Sequence, residues 1–212
     1  MASTNKSLAQ SNKSRTRGEA TKRWNRAERS KRQITMMKRT EYLDLRRLYE
    51  PQGLIRLVII AESPPASGKY FYNPRGATSE WLFAALMKQI GFSPSTKEKG
   101  LREFQRRGWI LVDATYEPVN KGLPNSARNK VIERDYPLLR DDLATFTPDR
   151  SAPLVLIKAN VCQILKPKLV QDGFNVLNRD DVVPFPSTGQ QPKFYKRFGA
   201  ILRSAEVSTA RS

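Results

Sequence analysis

The chain has 212 residues, 39% of them hydrophobic, with one cysteine, no histidine and a formal net charge of +18. These counts exclude an internal disulfide, a multi-cysteine zinc or iron–sulfur site, and any Ser-His-Asp or Cys-His machinery. Only hard cations remain as plausible metals, and catalysis would have to rest on carboxylates, Lys, Tyr, water or backbone dipoles. No metal site and no cofactor is expected.

Residues 1–40 hold 12 Lys/Arg against 2 Asp/Glu, a net of +10, and the remainder holds 26 against 18, a net of +8. So basic a balance points to a polyanion partner, most often nucleic acid. No apolar run reaches the roughly 20 residues of a membrane span, and no signal-peptide core is present. The expected location is intracellular, cytoplasmic or nucleoid/nuclear, without secretion and without a membrane partner. Length suggests a single domain with a tail, favoured as a monomer.

In chain order, residues 1–17 read as disordered. Their Ser- and Arg-rich, acid-free composition also suits a targeting peptide. Residues 18–49 predict one or two exposed helices with a partial apolar stripe of Trp24, Met36, Met37, Tyr42, Leu45 and Leu48, suited to docking on the body. The division is placed at a basic tail over 1–50 and an α/β domain over 51–212. LIRLVIIA predicts a strand. SEWLFAALMKQIGF predicts an amphipathic helix with Trp81, Leu82, Ala85, Leu86 and Ile90 inward. TKEKGLREFQRRG predicts a short charged helix, and WILVDA a strand. SARNKVIERDYPLLRDDLATF predicts a helix capped by Ser126 and kinked at Pro137. PLVLIKA is a strand, NVCQILKPKLVQDG a helix interrupted at Pro167, and FNVLN a short strand. GQQPKFYKRFGAILRSA is a helix with Pro192 in its first turn. Continuous apolar strands between helices predict a three-layer α/β/α fold with a central parallel sheet of about four strands. Ligands in such sheets bind beyond the strands' carboxyl ends.

Those ends carry the chemistry-bearing residues. The stretch LVIIAESPPASGKYFYNPRG is no Walker A loop. Ser63 stands where the first Gly belongs, Tyr70 replaces the magnesium-binding Ser/Thr, and Pro64 and Pro65 remove donors that would cradle phosphate. What remains is a rigid Glu-Ser-Pro-Pro turn that aims Glu62 into a cleft. A structural salt bridge explains Glu62 as readily as catalysis does, and core packing explains Phe71 and Tyr72. The PSTGQQ run before a helix with Lys193, Lys196 and Arg197 predicts a phosphate site that includes Ser187, Thr188 and Gln190. Lys69 and Arg75 are further candidates for phosphate contact. Lys97, Lys99, Arg102, Arg106 and Arg107 would extend the positive surface, and Cys162 reads as a buried helix residue.

The order strand–ESPP, Phe71, Gly-Ala and an amphipathic helix resembles motif one of the uracil-DNA glycosylase superfamily, in the frame of its iron–sulfur branch. WILVDATYEPVN is similar to the family's second strand, LVLIKANVCQIL to its penultimate strand and helix, and VVPFPSTGQQPKFYKRF to its His-Pro-Ser/Ala motif. The resemblance spans about residues 54–204 and implies a uracil-DNA-glycosylase-like fold that acts on DNA rather than RNA. It implies that Glu62 stabilises the sugar cation or orients water and that Phe71 stacks on an extruded base. Asp113 or Asn120 would read the base edge, with Tyr72 and Phe185 in the same pocket. Phe185 replaces the family's histidine, which leaves Ser187 and its neighbours to stabilise the leaving base. The branch's further cysteines are missing, so no cluster is implied. Three readings follow: a base-excising N-glycosylase, a non-catalytic nucleic-acid-binding module of the same fold, or a hydrolase of a nucleoside or phosphorylated small molecule.

Overall fold

The computed structural model describes residues 37–119 and 123–209. The expected disorder of the first residues, Trp24, Met36 and Asn120 lie outside them. The described elements are α1 (Arg39–Arg47), β1 (Leu57–Ala61), α2 (Trp81–Gln89), α3 (Lys97–Arg106), β2 (Trp109–Asp113), α4 (Asn125–Phe146), β3 (Leu154–Leu156), α5 (Ala159–Gln171) and α6 (Gln191–Thr209). None of these helices is long and apolar enough to cross a membrane.

The three strands are parallel in the order β2-β1-β3, with Ile59 opposite Leu111 and Val155. β1 is the centre because LVIIA is buried on both faces. Side chains alternate across the sheet. Leu57, Ile59 and Ala61 join one core with Phe83 of α2, Phe104 of α3 and Phe198 of α6. Val58 and Ile60 join the other with Ile132 of α4 and Leu165 of α5. The result is a three-layer α/β/α fold, with α1, α2, α3 and α6 on one face and α4 and α5 on the other.

The sheet has three strands and not four. The expected fourth, FNVLN, meets β3 in a single parallel bridge, Leu154 with Val176, and a second bridge, Ile157 with Val183, follows beyond the ends of both segments. Between them the buried Asn178 takes the ladder's place. Its side-chain oxygen accepts from the Leu156 N–H at 3.0 Å and its amide donates to the Leu156 carbonyl at 2.9 Å. The main chain is thereby freed to loop out between the two bridges. At the opposite edge the Tyr72 hydroxyl accepts from the Leu111 N–H at 2.7 Å and donates to its carbonyl at 3.1 Å. Both edges are closed by side chains instead of further strands, which satisfies buried peptide groups and blocks pairing with other chains.

Several local expectations are corrected. α4 and α5 run through Pro137 and Pro167. Both prolines are exposed, and the residues four positions back, Glu133 and Gln163, face solvent too, where water can serve the freed carbonyl. α4 starts at Asn125 after Pro124, not at a Ser126 cap. The expected inward face of α2 holds at Ala85, Leu86 and Ile90, which are buried, and at Leu82, which packs against the core, but Trp81 is 46% exposed, and Phe83 and Met87 are buried in addition. Lys97 does not extend the positive surface. Its ammonium is buried, donating to Glu80 at 2.6 Å and to the Tyr70 carbonyl at 2.8 Å. The compact unit begins at Met37, so α1 packs with the body. Tyr42, Leu43 and Arg46 are its buried face, while Leu48 is exposed.

Candidate functional site

The sheet's carboxyl edge has two chemically different sides, and the alternation of side chains decides which residue lies on which. Glu62 continues the face of Val58 and Ile60, toward α4 and α5. Ile60 is paired with Leu156. Two residues further on, Glu62 and Lys158 therefore stand opposite each other on that face, and they form an ion pair. Asn160, in the first turn of α5, donates to the other Glu62 oxygen at 2.6 Å. Arg128, in the first turns of α4, brings a second cation to 3.8 Å from the oxygen that Lys158 holds. The Glu62 side chain is 12% exposed and that of Lys158 is 32% exposed, so the cluster reaches solvent through the lysine. Two cations surround one carboxylate, which leaves an excess of positive charge. The Arg128 Nε and Asn160 Oδ1 atoms are buried without a partner.

This cluster sits at the topological switch point. The chain leaves β1 for β2 on one side, and leaves β3 for the Val176 bridge on the other, so the crevice between the ends of β1 and β3 is where such sheets bind ligands. The step from β3 to α5 is two residues long, and Lys158 in it has φ 90° and ψ 141°. That backbone region is nearly reserved for glycine. A lysine there costs about 1–3 kcal/mol and persists only because its surroundings over-determine it. Its N–H donates to the Val183 carbonyl at 2.7 Å while its own carbonyl accepts from the Cys162 N–H at 3.0 Å.

Asp113 lies on the opposite face, since it pairs with Ala61. Its surroundings are Tyr42, Tyr70, Tyr72 and Tyr116, closed over by α1. Arg46 of α1 forms a two-pronged pair with Asp142 of α4 at 2.6 and 2.7 Å and donates to the Tyr116 hydroxyl at 2.7 Å. Burial works against the Arg46 charge, but the Asp142 carboxylate outweighs it and raises its pKa. Burial pushes the Asp113 carboxyl up to about 8; Arg46 opposes this and the Glu62 charge adds to it. The Asp113 Oδ2 and the Tyr70 hydroxyl are buried without partners. A hollow beside Asp113, lined by Arg39, Thr115, Tyr116, Asp135 and Asp142 among others, has room for about one water.

Of the residues singled out from sequence, Glu62 is in the open cluster. Phe71 and Tyr72 are on the Asp113 side. Phe71 is 6% exposed, its ring edge-on to Tyr72 at 5.0 Å and to Phe104 at 5.2 Å. Lys69 and Arg75 are exposed on the loop that leaves β1. Phe185 packs partly buried against the aromatic core. Ser187 is half-buried in the turn that follows, where its N–H donates to the Phe185 carbonyl at 2.8 Å and its carbonyl accepts from Gln190 at 2.9 Å. Thr188, Lys193 and Lys196 are exposed. Arg197 donates to the Val182 carbonyl at 2.5 Å. No hydrogen bond joins Ser187 to Glu62 among the described residues. Cys162 is buried, and burial raises its thiol pKa.

The sequence puts Lys158 and Asn160 in KANVC at the carboxyl end of a strand without singling them out as site residues, and it gives no sign of Arg128. The available signal was the tight step between a three-residue apolar strand and a helix, which puts Lys158 at a carboxyl end. Its pairing with Glu62 depends on register. Among the described residues no group of three or more His, Cys, Asp and Glu side chains is placed to hold a metal. The chain matches no protein-family model, no curated protein and no solved structure.

Proposed function

We propose that the protein is a nucleic-acid-binding member of the uracil-DNA glycosylase superfamily, acting on DNA, and that it excises a base by using Glu62. One observation carries the reading. Glu62 is a carboxylate fixed in direction by Asn160 and Lys158 at the switch point of a parallel sheet, with the cluster open to solvent beside it. Cleavage of the bond between base and deoxyribose develops positive charge on the sugar. A carboxylate held in place before the reaction stabilises that charge, or orients the attacking water, without reorganising. The exposed Lys193 and Lys196 on α6 and the net charge of +18 supply the attraction to phosphate. Such a role places the protein with nucleic acid inside the cell.

A second reading has its own support. Lys158 and Arg128 outnumber Glu62, and an excess of cations suits a binding module that holds phosphate without chemistry. The test separates the two. The full chain is incubated with single- and double-stranded DNA carrying uracil, hypoxanthine, xanthine or an oxidised base. Excision that falls about 10²–10⁴-fold in Glu62→Gln, with DNA affinity kept, supports the enzyme. Salt-sensitive binding that Glu62→Gln leaves alone, with no product from any base, supports the module.

A further inference from the structure

Lys158 helps to orient Glu62 in the reading above, and its own backbone is held in a region that residues other than glycine rarely adopt. It stands in the two-residue step from β3 to α5 at φ 90°, fixed by hydrogen bonds to Val183 on the strand side and from Cys162 on the helix side. This presents an amine at the carboxyl edge of the sheet, one third exposed, against a carboxylate. The chain has no histidine, and its single thiol is buried. Lys158 is an amine nucleophile placed at the switch point. The carboxylate is also provided for when the amine leaves it, because Asn160 holds one oxygen and Arg128 lies 3.8 Å from the other.

We propose that Lys158 forms an imine with the aldehyde of an abasic deoxyribose, so that the site carries a lyase activity on abasic DNA. This rests on the nucleic-acid half of the proposed function and is independent of base excision. The Glu62 carboxylate takes a proton from the Lys158 ammonium, and the freed Nζ electron pair attacks C1′ of the ring-opened sugar. The carbonyl electrons move to oxygen, which takes the proton from Glu62. Nζ then returns a second proton to Glu62, which delivers it to the new hydroxyl. The hydroxyl leaves as water and a C=N iminium remains. Glu62, ionised again, removes a proton from C2′. The C–H electrons form a C2′=C3′ double bond and the 3′-phosphate departs with its bonding pair. Glu62 gives that proton up to solvent, and water adds to the iminium and releases Lys158 as the ammonium together with an unsaturated aldehyde. No oxidant or reductant is consumed.

The experiment incubates the full chain with a duplex carrying one aldehydic abasic deoxyribose in the presence of borohydride, which reduces an imine to a stable amine. The adduct is digested and mapped by mass spectrometry. The expected result is a covalent DNA–protein adduct at Lys158. Lys158→Arg keeps the charge but cannot form the imine, and it should abolish the adduct. Glu62→Gln should slow its formation about a hundredfold. An adduct mapped to another lysine, one undiminished in Lys158→Arg, or none despite tight binding of the abasic duplex would each overturn the proposal. Mapping on the unaltered chain does not depend on whether either variant folds. Failure to bind any duplex at low salt would instead overturn the nucleic-acid reading beneath it.

Discussion

Around Glu62, charged groups meet where solvent can reach them; around Asp113, on the other face of the same sheet end, polar groups are sealed beneath α1. Glu62 and Asp113 are only a strand apart, since Ala61 pairs with Asp113. The closed side holds the large pKa shift, which burial alone suffices to produce, while buried polar atoms without partners occur on both sides. The open side holds the backbone strain, at Lys158. A perturbed acid under a lid and a strained amine at an opening are different signals, and access separates a fold-stabilising cluster from a reactive one.

The largest expected effect tests whether the closed side is structural. Arg46→Ala leaves Asp142 and the Tyr116 hydroxyl without their shared partner and lifts the anchor of α1. Removing one member of a buried pair costs about 3–5 kcal/mol. Urea unfolding should show that loss, against a smaller change for Glu62→Gln, which keeps the side chain's shape and whose partner Lys158 reaches solvent. Equal costs would erase the distinction between the two sides.

The next effect comes from Asp113 and has a definite sign. Its folded pKa of about 8 lies above the unfolded value of about 3.9. Between the two, the native state holds a proton that the unfolded state has lost. Its contribution to stability is therefore complete at the acid end, falls as pH rises, and levels off above about pH 8. The slope is about 1.4 kcal/mol per pH unit. Asp113→Asn keeps the shape and removes the titration. Its stability relative to the unaltered chain should rise between pH 5 and pH 8, as measured by urea unfolding at both. Parallel curves would mean that Asp113 is ionised in the folded state.

How much of this was legible in the sequence follows the range of the interactions. The apolar runs LVIIA and PLVLI disclosed a parallel sheet because burial on both faces leaves a local imprint. So did Glu62 at a strand end. The partners of Glu62 left none: Lys158, Asn160 and Arg128 meet it through register and through two helices distant in the chain. The missing fourth strand could not be foreseen either, because Asn178 replaces a ladder with its side chain and FNVLN looks like a strand whether or not that happens. Lys97 lies in a charged helix and reads as surface; only its tertiary partners, Glu80 and the Tyr70 carbonyl, explain its burial.

A smaller effect, opposite in sign to that of Arg46, should appear at Lys158. Glycine enters the φ 90° region freely, so Lys158→Gly relieves strain of about 1–3 kcal/mol. It also forfeits the partly exposed ion pair, which is worth less. Glycine's greater freedom in the unfolded chain takes back part of the gain. The variant should unfold at a slightly higher urea concentration than the unaltered chain while losing the site's chemistry. A less stable Lys158→Gly would show that the ion pair, and not its presentation at the opening, is what the lysine is there to make.

The smallest effect joins the two sides. The Glu62 charge contributes to the raised pKa of Asp113, after burial and against the opposing influence of Arg46. Glu62→Gln removes that charge and should lower the Asp113 pKa by a fraction of a unit, in the direction of an ordinary carboxyl. A 13C titration of the Asp113 carboxyl would read it directly. The size of the shift reports how completely Lys158 and Arg128 neutralise Glu62, because a fully compensated ion pair projects little field across the strand. A clear drop would mean that Glu62 keeps negative character to offer a developing sugar cation, as base excision requires. No drop would mean that the two cations cancel it, and the positive remainder would then favour the holding of phosphate.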